Sequence, residues 1–100
     1  MEFKVVSNKG AYKQIDFGAG RSTQGFYQIA RKFEQILDIK YSKKSDNFNT
    51  LCWNYSYHGV PFLLTYHWDN GTLIQLKNTL PSNEEEAVLD EIITVLTEFL

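Results

Sequence analysis

Between Leu51 and Trp68 the bulky side chains fall at every second position. Leu51, Trp53, Tyr55 and Tyr57 alternate with Cys52, Asn54 and Ser56. Val60, Phe62, Leu64, Tyr66 and Trp68 alternate with Pro61, Leu63, Thr65 and His67. A period of two marks a strand with one face in a core, because successive side chains point to opposite sides. His58-Gly59 and Asn70-Gly71 interrupt the pattern where two-residue hairpin turns fit. Leu73, Gln75 and Lys77 then alternate with Ile74 and Leu76. The segment reads as a three-stranded antiparallel meander.

Two-residue turns fix an expected register. Tyr57 faces Val60, Tyr55 faces Phe62, Trp53 faces Leu64 and Leu51 faces Tyr66. Across the second turn, Trp68 faces Leu73 and Tyr66 faces Gln75. One sheet face then holds the aromatic residues together with Leu73. The other holds Cys52, Asn54, Ser56, Leu63, Thr65, His67, Ile74 and Leu76. A one-residue slip would exchange the faces, so the apolar pattern should hold the register. Burying one large side chain is worth roughly 1.5–3 kcal/mol, which assigns the aromatic face to the core.

Residues 2–17 read as a β-hairpin turning at Asn8-Lys9-Gly10. It either extends the meander or forms a separate ribbon. Gly18-Ala19-Gly20 ends it, and Ser22 or Thr23 can cap a helix. Phe26, Ile29, Ala30, Phe33, Ile36 and Leu37 recur at spacings of three and four, so one face of that helix is apolar. The expected end is near Lys40 or Tyr41. Ser42-Lys43-Lys44-Ser45-Asp46-Asn47 is polar, lacks a period and reads as a solvated loop. Ser82 followed by Glu85 is a capping box that opens a last helix, with Val88, Leu89, Ile92, Val95, Leu96 and Phe99 as its apolar stripe. The order is β-β-α-β-β-β-α. It implies one α+β domain over residues 1–100, a two-layer sandwich with both helices on one face of an antiparallel sheet.

Charge is divided along the chain. Residues 1–50 hold nine bases and five acids, and residues 51–100 hold Lys77 against seven acids. The halves are therefore +4 and −6, although the whole chain is only −2. The single Cys52 excludes an internal disulfide and points to a reducing compartment such as the cytoplasm. No apolar run approaches the ~20 residues of a membrane span, and the N-terminus lacks the apolar core of a secretory signal.

Gly18-Ala19-Gly20-Arg21-Ser22-Thr23-Gln24-Gly25 places glycines before a helix start, where backbone N–H groups can hold an anion. Phe26 and Tyr27 stand where a P-loop needs Lys and Ser or Thr. The anion-binding reading therefore rests on Gly20, Arg21, Ser22 and Thr23. Cys52 and His67 fall diagonally on adjacent strands, ~7–8 Å apart at Cα, too far to favour a nucleophile–base pair. Cys52, His58, His67 and Asp69 lack zinc-site spacing, so neither a metal nor another cofactor is expected.

Residues 22–100 read α-β-β-β-α, an order that resembles the double-stranded RNA-binding domain. That resemblance implies a basic segment at the start of the last helix to grip phosphates. Here the segment is Asn83-Glu84-Glu85-Glu86-Ala87, whose carboxylates would repel RNA. The expectation is therefore of no nucleic-acid partner. It is instead of a non-catalytic protein-interaction domain of adaptor, immunity or chaperone type. Its basic protein partner would meet Glu84, Glu86, Asp90 and Glu91, or an exposed sheet edge. The alternative is a small-ligand or anion-binding domain using the glycine-rich loop. An open sheet would also leave two unpaired edges through which copies could assemble.

Overall fold

The structure is a computed structural model; it describes residues 3–7, 13–17, 23–47, 50–67, 71–78 and 82–99. Its elements are β1 (Lys4–Ser7), β2 (Lys13–Asp16), α1 (Thr23–Ile36), β3 (Lys43–Asp46), β4 (Thr50–Tyr57), β5 (Val60–His67), β6 (Gly71–Leu76) and α2 (Asn83–Phe99). The strands form one antiparallel sheet in the order β1-β2-β6-β5-β4-β3. Both helices cover one face, giving the α+β two-layer sandwich that the sequence implies.

The β4–β5 hairpin has the expected register, with Tyr57 opposite Val60, Tyr55 opposite Phe62 and Trp53 opposite Leu64. Its turn explains why. His58 and Gly59 have φ of 53° and 78°, and two consecutive positive values suit a two-residue turn matching the strand twist. The aromatic face is the core: Trp53 is 7% exposed, and Phe62 and Leu64 are fully buried. From α1, Phe26 meets Trp53 edge-on at 5.0 Å between ring centroids. Phe33 meets Phe17 at 5.7 Å. Leu89, Ile92 and Leu96 of α2 complete the same core.

The β5–β6 register differs from the expected one. His67 pairs with Gly71, Tyr66 with Thr72, Leu64 with Ile74 and Phe62 with Leu76. Three residues, not two, separate the strands. Tyr66 is therefore opposite Thr72 instead of Gln75, and the faces of β6 are exchanged. Ile74 and Leu76 are buried, whereas Leu73 and Gln75 lie on the half-exposed face. The reason is energetic. The expected register would bury the Gln75 amide and leave two large aliphatic side chains outside. Gly71, where β6 begins, has a left-handed φ of 78° that glycine adopts without steric cost.

Two further expectations are corrected. Helix α1 ends at Ile36, short of Lys40, because Asp38 takes a left-handed φ of 53°. The turn sends Leu37 and Ile39, both buried, down to the core. Residues 43–46 form an edge strand and not a loop. Lys44 faces Trp53 and Asp46 faces Leu51. The Trp53 indole N–H donates to Asp46 Oδ1 at 2.9 Å, and Lys44 Nζ lies 4.3 Å from the Trp53 ring centroid. These contacts join residues outside any local pattern, so the composition of the segment carries no sign of them. The added strand also departs from the α-β-β-β-α order of the RNA-binding resemblance. The N-terminal hairpin joins the sheet through β2, with Ile15 opposite Ile74 and the Phe17 N–H donating to the Thr72 carbonyl at 2.9 Å. Its turn at residues 8–10 and the expected strand end at Trp68 lie outside the described residues.

Tyr55 is buried with its hydroxyl unpartnered, and burial pushes its phenol well above the ordinary tyrosine range. Replacing Tyr55 by Phe removes an unsatisfied polar atom while keeping the ring that stacks on Phe62. Tyr55→Phe should therefore leave the urea midpoint unchanged or raise it; a loss of ~1 kcal/mol or more would show that the hydroxyl has a partner. The register of β6 is tested alongside. Ile74→Ala should cost about 2–5 kcal/mol in urea unfolding and Leu73→Ala clearly less. Equal costs would contradict the observed pairing.

Candidate protein-docking surface

Helix α2 carries six acids, Glu84, Glu85, Glu86, Asp90, Glu91 and Glu98, and no base. Its start follows from the sequence. The Glu85 N–H donates to Ser82 Oγ at 3.2 Å, and the Ser82 N–H donates to Glu85 Oε1 at 3.0 Å. Asn78 Nδ2 also donates to the Glu85 carboxylate at 3.2 Å. The Ser82 N–H bond is the chief reason that the Glu85 carboxyl is held below the usual range. Glu85 is thus committed to the cap.

The remaining acids are arranged by helical geometry. With 3.6 residues per turn, Glu84, Glu91 and Glu98 form one row and Glu86 and Asp90 another. Ala87 and Thr94 lie between the rows. Glu84, Asp90 and Glu91 are exposed, and Glu86 is half-buried. A shallow groove of about 400 Å³ follows this strip, lined by Ala87, Val88, Asp90, Glu91 and Thr94. The four sequence-selected acids are therefore on one helix surface, with a small-residue strip separating them. Reading the acids alone does not find the strip. Its signal in the sequence is the spacing of Ala87 and Thr94, seven residues apart.

The β4–β5 turn reaches the same surface. His58 Nδ1 lies 3.7 Å from Glu91 Oε2, with both side chains about half exposed. The His58 ring lies 4.1 Å from that of Tyr57. The Tyr57 phenol is pushed up, first by burial and then by the Glu91 carboxylate. The His58–Glu91 contact is an ion pair only when the imidazole is protonated. It attaches one end of the hairpin to the acidic helix.

Other sequence candidates fall elsewhere. Of the glycine-rich loop, Gly20, Arg21 and Ser22 lie outside the described residues, and Thr23 is the exposed first residue of α1. Cys52 is half-buried opposite Thr65, two positions along from the pair Thr50–His67. Cys52 and His67 share the face away from the helices. Among the described residues no group of three metal-ligating side chains comes together. The helix-free sheet face instead carries a polar ladder. Gln14 Nε2 donates to Gln75 Oε1 at 3.0 Å, and Gln75 Nε2 donates to Thr65 Oγ1 at 3.3 Å. No described helix is long and apolar enough to cross a membrane.

Comparison with protein families, characterised proteins and solved structures found no match.

The lowered Glu85 carboxyl gives a pH dependence of known sign. Its contribution to stability is present above the unfolded glutamate value of about 4.3 and is lost as pH falls through the lower folded value. Glu85→Gln keeps the capping geometry and removes the charge. The variant should be less stable than the parent at neutral pH, with the gap closing below about pH 4. Thermal melts across this range check it, and a gap that widens on acidification would contradict the assignment.

Proposed function

We propose that this chain is a non-catalytic protein-interaction domain that binds a basic protein partner through the exposed face of α2. One observation carries the reading. The open groove along Ala87 and Thr94 is bordered on one side by Asp90 and on the other by Glu91, on a helix without a compensating base. Like charges gathered on a surface steer an oppositely charged partner and exclude others. The small residues between the rows let a partner side chain approach the helix backbone. Adaptor, immunity and chaperone-like roles all use such a surface, and a reducing cytoplasmic setting fits the lone Cys52.

The test is affinity capture from a native extract, with bound proteins identified by mass spectrometry. The parent chain should retain a specific basic protein, released as salt rises because the contact is electrostatic. Glu84→Lys, Glu86→Lys, Asp90→Lys and Glu91→Lys together should abolish that capture. Glu34→Lys on α1 serves as a control and should not. Circular dichroism confirms that the reversed variant folds. Equal capture by the parent and the reversed variant would reject the acidic surface.

A further inference from the structure

We propose that β3 is a self-complementary edge at which two copies of this chain join their sheets about a two-fold axis. Strand β3 is last in the sheet order, so one side of its backbone faces no other described strand. Which amides face outward follows from its hairpin with β4. The Asn47 N–H donates to the Thr50 carbonyl at 2.8 Å, so Asn47 and Thr50 form a hydrogen-bonded pair. Antiparallel pairs alternate between bonded and non-bonded. Ser45 therefore turns its amide and carbonyl toward β4, and Lys44 and Asp46 turn theirs outward.

A two-fold axis normal to the sheet keeps the helix-bearing faces of both copies on one side. Three registers then use the outward groups. One sets Lys44 opposite Lys44, another sets Asp46 opposite Asp46, and both place like charges face to face. In the third, Ser45 sits on the axis and Lys44 of each copy faces Asp46 of the other. That register forms two opposite-charge pairs across the joint. Lysines normally protect an edge from pairing. Here Lys44 meets an acid across the joint when the partner is a second copy in this register. The opposite edge, β1, reads Lys-Val-Val-Ser and has no acid to offer.

The side chains are already set for this contact. Lys44 and Asp46 both lie over Trp53 on the helix-bearing face. Tyr27, one of two large apolar residues left exposed among the described residues, rests on the same indole with ring centroids 5.6 Å apart. It adds apolar surface beside the joint. A strand of four residues makes a small interface, so the dimer depends on concentration.

Paired charge variants test the register. Lys44→Glu alone sets two acids against each other at each cross-pair, and Asp46→Lys alone sets two bases against each other. Each variant alone should be monomeric in sedimentation at concentrations where the parent mass rises above 11.6 kDa toward twice that value. An equimolar mixture of the two variants should associate again. In the mixed dimer the glutamate introduced at position 44 of one copy faces the lysine introduced at position 46 of the other, and the retained Asp46 faces the retained Lys44. Both cross-pairs therefore join opposite charges. Failure of the mixture to associate would overturn the register, and the double variant is a second rescue. Lys44→Glu with Asp46→Lys in one chain restores an opposite-charge pair at both positions and should dimerise as the parent does. Separately, Ser45→Cys in a Cys52→Ser background places two thiols in a non-bonded pair, ~4.5 Å apart at Cα. Mild oxidation should join them into a dimer, and Lys44→Glu in that background should suppress it. The proposal is overturned by a parent that stays monomeric at all concentrations. It is equally overturned if the double variant fails to associate while keeping the parent circular dichroism, or if the Ser45→Cys variant forms no dimer. None of these changes touches α2, so the outcome is independent of partner capture there.

Discussion

The aromatic face of the β4–β5 hairpin has to be covered, and the rest of the fold follows from that requirement. Trp53, Tyr55, Phe62, Leu64 and Tyr66 line one side of two paired strands and cannot be left in water. A two-stranded hairpin cannot shield them alone. Two amphipathic helices supply the second layer: Phe26 of α1 meets the Trp53 and Tyr66 rings, and Leu89, Ile92 and Leu96 of α2 are buried in the same core. Extra strands on both sides widen the platform beneath the helices. The burial of Ile15 and Ile74 opposite one another carries this core across to the N-terminal hairpin.

With helices on one side only, the two sheet faces have different chemistry. The covered face is packed with rings and aliphatic side chains. The open face is held by amide and hydroxyl ladders from Gln14 to Gln75 to Thr65. This arrangement leaves three kinds of surface. They are the open sheet face, the outer faces of the helices and the two strand edges. The helices differ in charge, since α1 carries Arg31, Lys32 and Glu34 whereas α2 carries only acids. The proposed recognition of a basic protein therefore rests on α2. The proposed self-association rests on β3, where both signs of charge occur on one short strand.

Much of this architecture is legible in the residues. The period-two run from Leu51 to Tyr66, the His58-Gly59 turn and the Ser82–Glu85 cap each depend on neighbours in sequence, and each is found in the structure. The acidic surface is legible as a set of residues, Glu84, Glu86, Asp90 and Glu91. Its division into two rows around Ala87 and Thr94 needs the helix to be placed against the core. The β5–β6 register is not legible, because Asn70-Gly71 suggests a two-residue turn. The outcome depends on whether Ile74 and Leu76 or Leu73 and Gln75 face the helices.

The sequence by itself determined the order of most elements, the central hairpin register, the side of that hairpin to be buried and the cap of the last helix. These are set by local turn conformation, by periodicity and by hydrogen bonds spanning a few residues. Tertiary structure alone decided that Lys43–Asp46 is a strand, that β2 lies beside β6 and which face of β6 is inside. Each choice depends on groups brought together only by the fold: the Trp53 indole beneath Lys44 and Asp46, Ile74 opposite Ile15, and a helical layer present on one face only.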